Sequence, residues 1–254
     1  NEAPVARKLI ERYQQRSGHD CIEPIAQAPI NPFQYTRRET QEVFNFGGTN
    51  VPRIIADYAS LEVQNLDDLK SIGHFFLPVP DKWAMNDQGA DYIYSGKKPI
   101  PFMLPNGLKE IVDFEQWLTL SDQVNKFPLL SVEEMQQSSH LITSLHFIKG
   151  TIHDFTDAFL DSLASTPLSV LILQSKNDHG MPEMRRLFYK LVTKNSKVPV
   201  IINRAYDMDS LDALTLYSAT DIGGLLVDGF GDGLMLSPKN NEVVTTRTTS
   251  LLNG

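Results

Sequence analysis

Leu168–Gln174 reads LSVLILQ, Met181–Lys194 reads MPEMRRLFYKLVTK and Val198–Asn203 reads VPVIIN. The first and third runs are short and almost wholly apolar, as in strands buried on both faces of a parallel sheet. The run between them reads as a helix with proline in its first turn. Residues 209–219 come next as a helix capped by Asp209 or Ser210, and Gly223–Asp228 (GGLLVD) reads as a third buried strand. Strand–helix–strand–helix–strand with short links is the signature of right-handed parallel units. The fold expected is α/β, a parallel (β/α)8-type barrel, complete or slightly irregular.

Upstream the pattern is less regular. Residues 3–16 read as a helix on Val5, Leu9, Ile10 and Tyr13, with Pro4 in its first turn and Ser17-Gly18 as its stop. Residues 22–36 hold Pro24, Pro29 and Pro32 and read as a loop. Val51–Tyr58, Gly73–Val79, Asp91–Ser95, Ile100–Leu104, Phe127–Val132 and Leu141–Phe147 are strand candidates, with a helical turn at Leu66–Ser71. Gly107–Phe127 and residues 151–164 read as amphipathic helices. The strand candidates number nine, one more than an eight-stranded barrel takes, so Asp91–Ser95 or Phe127–Val132 is expected to be peripheral.

A length of 254 residues suits one α/β barrel of about 250. A net charge of −8 argues against a phosphate-backbone partner, so no nucleic acid is expected. No run approaches the ~18–20 apolar residues of a membrane span, and the charged, amphipathic opening does not read as a signal peptide. The expectation is a soluble cytoplasmic protein without a membrane partner. Cys21 is the single cysteine, which excludes an internal disulfide and any metal site built from several thiolates of this chain. His140, His146 and His153 stand six and seven apart without ligand spacing, and no metal site is expected. The chain begins without Met and closes in LLNG after a threonine-rich stretch, which reads as a piece of a longer protein.

In a parallel barrel, functional side chains lie at the C-terminal ends of strands. Lys149 or Lys176 there could form a Schiff base in a lyase or aldolase, although a solvated loop lysine is the commoner state. Asp178 and His179 could form an acid/base pair, but adjacent residues rarely face each other, and a turn is the simpler reading. The run Asp228–Gly233 (DGFGDG) could cradle a phosphate on backbone N–H groups, but its two aspartates oppose an anion. Composition and spacing alone do not give a reaction.

Three stretches carry a resemblance. Asp221–Ser237 (DIGGLLVDGFGDGLMLS) resembles the last barrel strand of the 4-hydroxy-3-methylbut-2-enyl diphosphate synthase family, whose pattern runs roughly G-x-L-L-x-D-G-I/L-G-D-T-I-R-V-S-L-T. Glu2–Ile10 (EAPVARKLI) resembles the family's segment just after that strand, and Arg37–Asp57 resembles the start of the barrel. Their order implies the inserted second barrel of the three-domain form of this enzyme. Residues 1–34 would be the helix and linker carried over from the catalytic barrel, and 35–254 the insertion barrel.

The resemblance implies an isoprenoid-pathway oxidoreductase as parent, converting methylerythritol cyclodiphosphate to hydroxymethylbutenyl diphosphate with a 4Fe–4S cluster in its C-terminal domain. It implies as partners the catalytic barrel and iron–sulfur domains of the same chain, with a homodimer open to the parent. Where the family pattern has Thr, Arg and Ser, this chain has Gly233, Met235 and Ser237. A thioether cannot replace the bidentate guanidinium. The expectation is therefore a non-catalytic spacer without a cofactor of its own. Asp228, Gly229, Gly231, Asp232 and Ser237 would be the remains of an ancestral strand-end loop. The rival is a free-standing barrel enzyme using Lys149, Lys176 or His179.

Overall fold

Helix α1 spans Ala3–Gln14, and the first strand, β1, spans Arg53–Asp57 (RIIAD) and is the seam at which the barrel closes. After it come β2 (His74–Leu77), β3 (Lys82–Met85), β4 (Tyr92–Gly96), β5 (Lys109–Asp113), β6 (Lys126–Ser131), β7 (His146–Gly150), β8 (Ser169–Leu173), β9 (Val200–Asp207) and β10 (Gly233–Lys239). The closed order is β1-β10-β9-β8-β7-β6-β5-β4, and every pairing in it is parallel. This computed structural model describes residues 2–14, 24–138, 142–208, 210–239 and 242–253. Ser17, Gly18, Cys21, His140 and Asp209 lie outside them.

Helices α2 (Phe114–Trp117), α3 (Val132–Ser138), α4 (Asp157–Ser162), α5 (Met181–Thr193), α6 (Leu211–Ser218), α7 (Gly224–Val227) and α8 (Glu242–Asn253) alternate with the later strands. The barrel interior is filled by inward residues such as Ile55, Tyr92, Ile111, Phe147, Ile201 and Met235. Phe46, from a turn bridged by Val43, plugs its N-terminal end, 5.0 Å from the Tyr92 ring and 5.6 Å from Phe147. The outer layer packs strands on helices, with Phe188 and Phe230 stacked at 4.8 Å.

Four sequence expectations are corrected. Gly223–Asp228 is not a strand. Helix α6 runs on through a π turn at Ala219–Gly223 into α7, and the strand begins only at Gly233. The helix ends in a Schellman motif: Gly229 stands at φ +81°, its N–H donates to Leu226 O at 3.0 Å, and Phe230 N–H donates to Leu225 O at 2.9 Å. GGLLV suits this close because the glycines sit on the helix and Leu225 and Phe230 share the outer core.

Gly107–Phe127 is not one helix. It holds β5, the short α2 and the start of β6. Leu108, Ile111 and Val112 fit either period, and a buried charge hides the strand. Glu110 has no exposed surface, pairs with Lys126 Nζ at 3.0 Å and accepts from Ser95 Oγ at 2.6 Å and Ile100 N at 2.7 Å. Ile100–Leu104 is an irregular connection between prolines, not a strand. Asp91–Ser95 and Phe127–Val132 both supply barrel strands. The strand outside the barrel is Gly73–Val79, whose residues form β2 of an antiparallel hairpin with β3.

One helix starts later than expected. Over 151–164 the helix starts at Asp157, where Thr156 Oγ1 accepts from Phe159 N at 3.2 Å, because Asp154 first closes a turn on Thr151 N at 2.7 Å. Ser210 caps α6 by accepting from Ala213 N at 3.3 Å. No helix among the described residues is long and apolar enough to cross a membrane.

Candidate functional site at the barrel mouth

Alternation along a strand sends every second residue inward. Above the apolar layers this brings Asp57 (β1), Tyr94 (β4), Asp113 (β5), Lys149 (β7), Asn203 (β9) and Ser237 (β10) to the C-terminal mouth. There a crater of about 1550 Å³ opens, lined by Asp57, Tyr94, Lys149, Gln174, Lys176 and Ser237 among others. Helix α1 forms one wall through Val5, Lys8 and Arg12.

The mouth is wired by short polar contacts. Tyr94 OH donates to Asp113 Oδ1 at 2.6 Å, and Ser237 Oγ donates to Asn203 Oδ1 at 3.1 Å. Lys149 Nζ lies 5.8 Å from the centre of the Tyr94 ring. Enclosure pushes the Asp57 carboxyl above the usual carboxylate range, and Asp113 adds to this. Ser237, the Ala59 N–H and Lys149 pull it back. Burial, and then the Asp113 carboxylate, push the Tyr94 hydroxyl up. Asn203 is 1% exposed, and its Nδ2 has no hydrogen-bond partner.

Beside the mouth, a second polar cluster lies between β9 and α6. Asp221, on the π turn, has no exposed surface and accepts at Oδ2 from Arg204 Nε at 3.0 Å, Arg12 Nη2 at 3.1 Å and Tyr206 OH at 2.8 Å. Arg204 also donates to the carbonyls of Ser175, Asn177 and Asp178 at 2.9–3.0 Å. Arg12 stacks 4.1 Å over the Tyr217 ring and donates to Asp178 O. This cluster fixes the β8–α5 loop and fastens α1 to the barrel.

The sequence-derived candidates fall in three places. Lys149 and Ser237 are in the mouth. Lys176 lies on its exposed rim. His179 is buried beside Asp221, with Nδ1 at 3.8 Å from Oδ1, while Asp178 is exposed. Asp228, Gly229, Gly231 and Asp232 are at the other end of the barrel, before β10 and not after a strand, which corrects their placement in a strand-to-helix loop. Asp228 Oδ2 accepts from Arg185 Nε at 2.6 Å. Asp232 accepts from Val200 N at 2.9 Å and Thr40 Oγ1 at 3.0 Å and pairs with Arg38 at 3.5 Å, tying the entering chain to β9 and β10.

Sequence reasoning missed Asp57, Asp113, Asn203 and Asp221. Asp57 and Asp113 share a signal, an acid closing the apolar runs RIIAD and KEIVD.

Met235 lies inside the barrel at 1% exposure, opposite Asn203 on β9. A 4Fe–4S cluster does not fit this chain, because such clusters are held by about four thiolate-type ligands and the sequence has one cysteine. Among the described residues no group of three or more His, Cys, Asp or Glu is placed to hold a metal ion.

No family model matches the chain. Curated relatives do. It is 32% identical over 248 residues to the 4-hydroxy-3-methylbut-2-en-1-yl diphosphate synthase (flavodoxin) of Parabacteroides distasonis, covering 96% of this chain and 36% of that protein. It is 29% identical over 256 residues to the enzyme of the same name from Phocaeicola vulgatus, covering 99% of this chain and 38% of the relative. The chloroplastic 4-hydroxy-3-methylbut-2-en-1-yl diphosphate synthase (ferredoxin) of rice is 29% identical over 164 residues, 58% of this chain and 22% of that protein. The chain thus spans little more than a third of the length of the bacterial relatives it matches. Over that shared segment it is similar to 4-hydroxy-3-methylbut-2-en-1-yl diphosphate synthases of bacteria and of a plant chloroplast.

Proposed function

We propose that this barrel is the inserted second barrel of a three-domain 4-hydroxy-3-methylbut-2-en-1-yl diphosphate synthase, and that it serves geometry and not chemistry. The observation that carries the reading is Met235. The catalytic-barrel pattern has an arginine at this position, and here the side chain is core filling, packed with Ile55 and Ile201. On this reading the parent is an isoprenoid-pathway oxidoreductase of the bacterial cytoplasm. Its own catalytic barrel and its 4Fe–4S domain are the partners, and it acts on methylerythritol cyclodiphosphate. A rigid barrel between substrate and cluster domains sets their separation, and misplacement of reacting groups by about 1 Å can cost ~100-fold in rate.

The domain boundary at residues 34 and 35 is part of the proposal. It is supported by Arg38 N–H donating to Gly229 O at 2.9 Å, which joins the chain to the barrel just after the boundary.

The test is made in the complete synthase. A flexible Gly-Ser run inserted between Ala28 and Pro29 lowers kcat about tenfold or more and leaves KM for the cyclodiphosphate nearly unchanged. Unchanged kcat, or turnover by the isolated chain, overturns the spacer role. The rival is a lyase using a strand-end lysine, Lys149 or Lys176, both of which line the mouth. It predicts borohydride trapping of a carbonyl substrate on that lysine.

A further inference from the structure

We propose that the barrel mouth is a binding site for a small uncharged polyol or sugar. Its deepest groups alternate in hydrogen-bonding character: Asp57 accepts, Lys149 donates, and Ser237 and Gln174 do both. A hydroxyl group, which donates and accepts at once, complements such a surface better than a group of one kind.

The second observation is Asn203. Its side chain is buried directly below the crater floor, on an inward position of β9 between Ile201 and Ala205. Its Oδ1 is taken by Ser237, while its Nδ2 has no partner. Buried amides are ordinarily satisfied. Turning the amide over would let Nδ2 donate to Ser237 Oγ and turn the hydroxyl proton toward Asp57 at the crater floor. Ser237 therefore links the orphaned amide to Asp57 and through it to whatever occupies the mouth.

Charge selects against an anion. Among the described residues of the inner ring, Asp57 and Asp113 face Lys149. The neighbouring guanidinium groups are occupied, Arg204 by Asp221 and three carbonyls and Arg12 by Asp221, Thr220 and Asp178 O. The rim adds Lys8 and Lys176 against Asp178, Asp207 and Asp212. Among the described residues at the mouth, no guanidinium is left free to pair with a phosphate in bidentate fashion.

The site stands whether or not the barrel is a spacer, and its test is binding to the whole chain. Ribitol, D-xylose and inorganic phosphate are titrated into the 15N-labelled protein. The expected result is saturable shifts of the Asn203 side-chain amide and of the Lys149 and Ser237 backbone amides with ribitol or xylose. Phosphate should bind more weakly. K149M and S237A, which alter partly exposed side chains, should each weaken binding about tenfold, as loss of one such contact does. Absence of saturation, equal shifts in both variants (an adventitious additive only), or tighter binding of phosphate at these resonances overturns the proposal.

Discussion

Arg204 Nε sits 3.0 Å from Asp221 Oδ2, and the two side chains are 2% and 0% exposed. The pair joins β9 of the barrel wall to the π turn between α6 and α7. The extra residue of that turn brings Asp221 over the barrel, where Tyr206 and Arg12 also reach it. Burial, and then the Asp221 carboxylate, hold the Tyr206 hydroxyl above its ordinary value, so it stays a hydrogen-bond donor.

Removing one partner of a buried ion pair leaves the other uncompensated. Arg204→Ala should therefore cost about 3–5 kcal/mol in urea unfolding. Arg12→Ala should cost less, about 1–2 kcal/mol, because Arg12 lies nearer the surface and Arg204 still neutralises Asp221. It should also free α1, seen as faster proteolytic cleavage after Arg7 or Lys8. Unchanged cleavage of α1 in Arg12→Ala would show that α1 does not depend on this contact.

Met235 gives a sharper comparison. Met235→Leu keeps volume and polarity and should cost less than about 1.5 kcal/mol. Met235→Arg places a guanidinium among Ile55, Ile201 and Phe147 in the barrel interior and should cost several kcal/mol or prevent folding. A stable Met235→Arg protein that has gained phosphate affinity would mean the mouth reaches deeper than the packing indicates.

The parallel barrel was legible in the last third of the sequence because its strands there are buried on both faces and read as unbroken apolar runs. Val200–Asn203 and Ser169–Leu173 are of this kind. The elements that misled did so for local reasons. Glu110 is a buried charge whose neutralising Lys126 lies on the next strand, so KEIVD looks like a helix surface. GGLLVD has the composition of a buried strand, and only the Schellman close at Gly229 shows that it ends a helix. In the mouth, Lys149 was found because it follows an apolar run, and Ser237 because it falls on the serine of the family pattern. Asp221 could not be, because its place depends on a π turn that no sequence period announces.

The glycine turn before β10 yields two predictions of different size. At Gly229 a Cβ would come 2.3 Å from Thr36 O, and φ is +81°. Gly229→Ala should lose about 2 kcal/mol or more, the left-handed penalty of ~1–2 kcal/mol plus the clash. Asp228→Ala removes a partly exposed pair with Arg185 and should lose about 0.5–1 kcal/mol, with no change in affinity for inorganic phosphate. Thermal melts with and without phosphate separate this from a ligand role, in which stability would hold and a phosphate-dependent shift would vanish.

Buried titratable groups give the chain opposing pH dependences. His146 and His74 are held below the ordinary imidazole value, mainly by burial. His146 Nδ1 donates to Ser144 O at 2.9 Å and Nε2 lies 2.7 Å from Ser169 Oγ, an arrangement suited to the neutral ring. The unfolded chain takes up these protons near ~6.5, so the stability the neutral rings contribute is present above that pH and is lost as pH falls toward the depressed folded values. Asp57 runs the other way. Its folded value is raised, mainly by burial. Its contribution is complete below ~3.9 and is lost as pH rises through the raised value, leaving the charged carboxylate a net cost at neutrality. His146→Gln should flatten the fall of the urea midpoint below about pH 6.5. Asp57→Asn should raise the midpoint at pH 7 and steepen the relative loss toward acid, because the compensating gain from Asp57 protonation is gone. An acid limb of unchanged slope in His146→Gln, or a lower neutral midpoint in Asp57→Asn, would contradict these assignments.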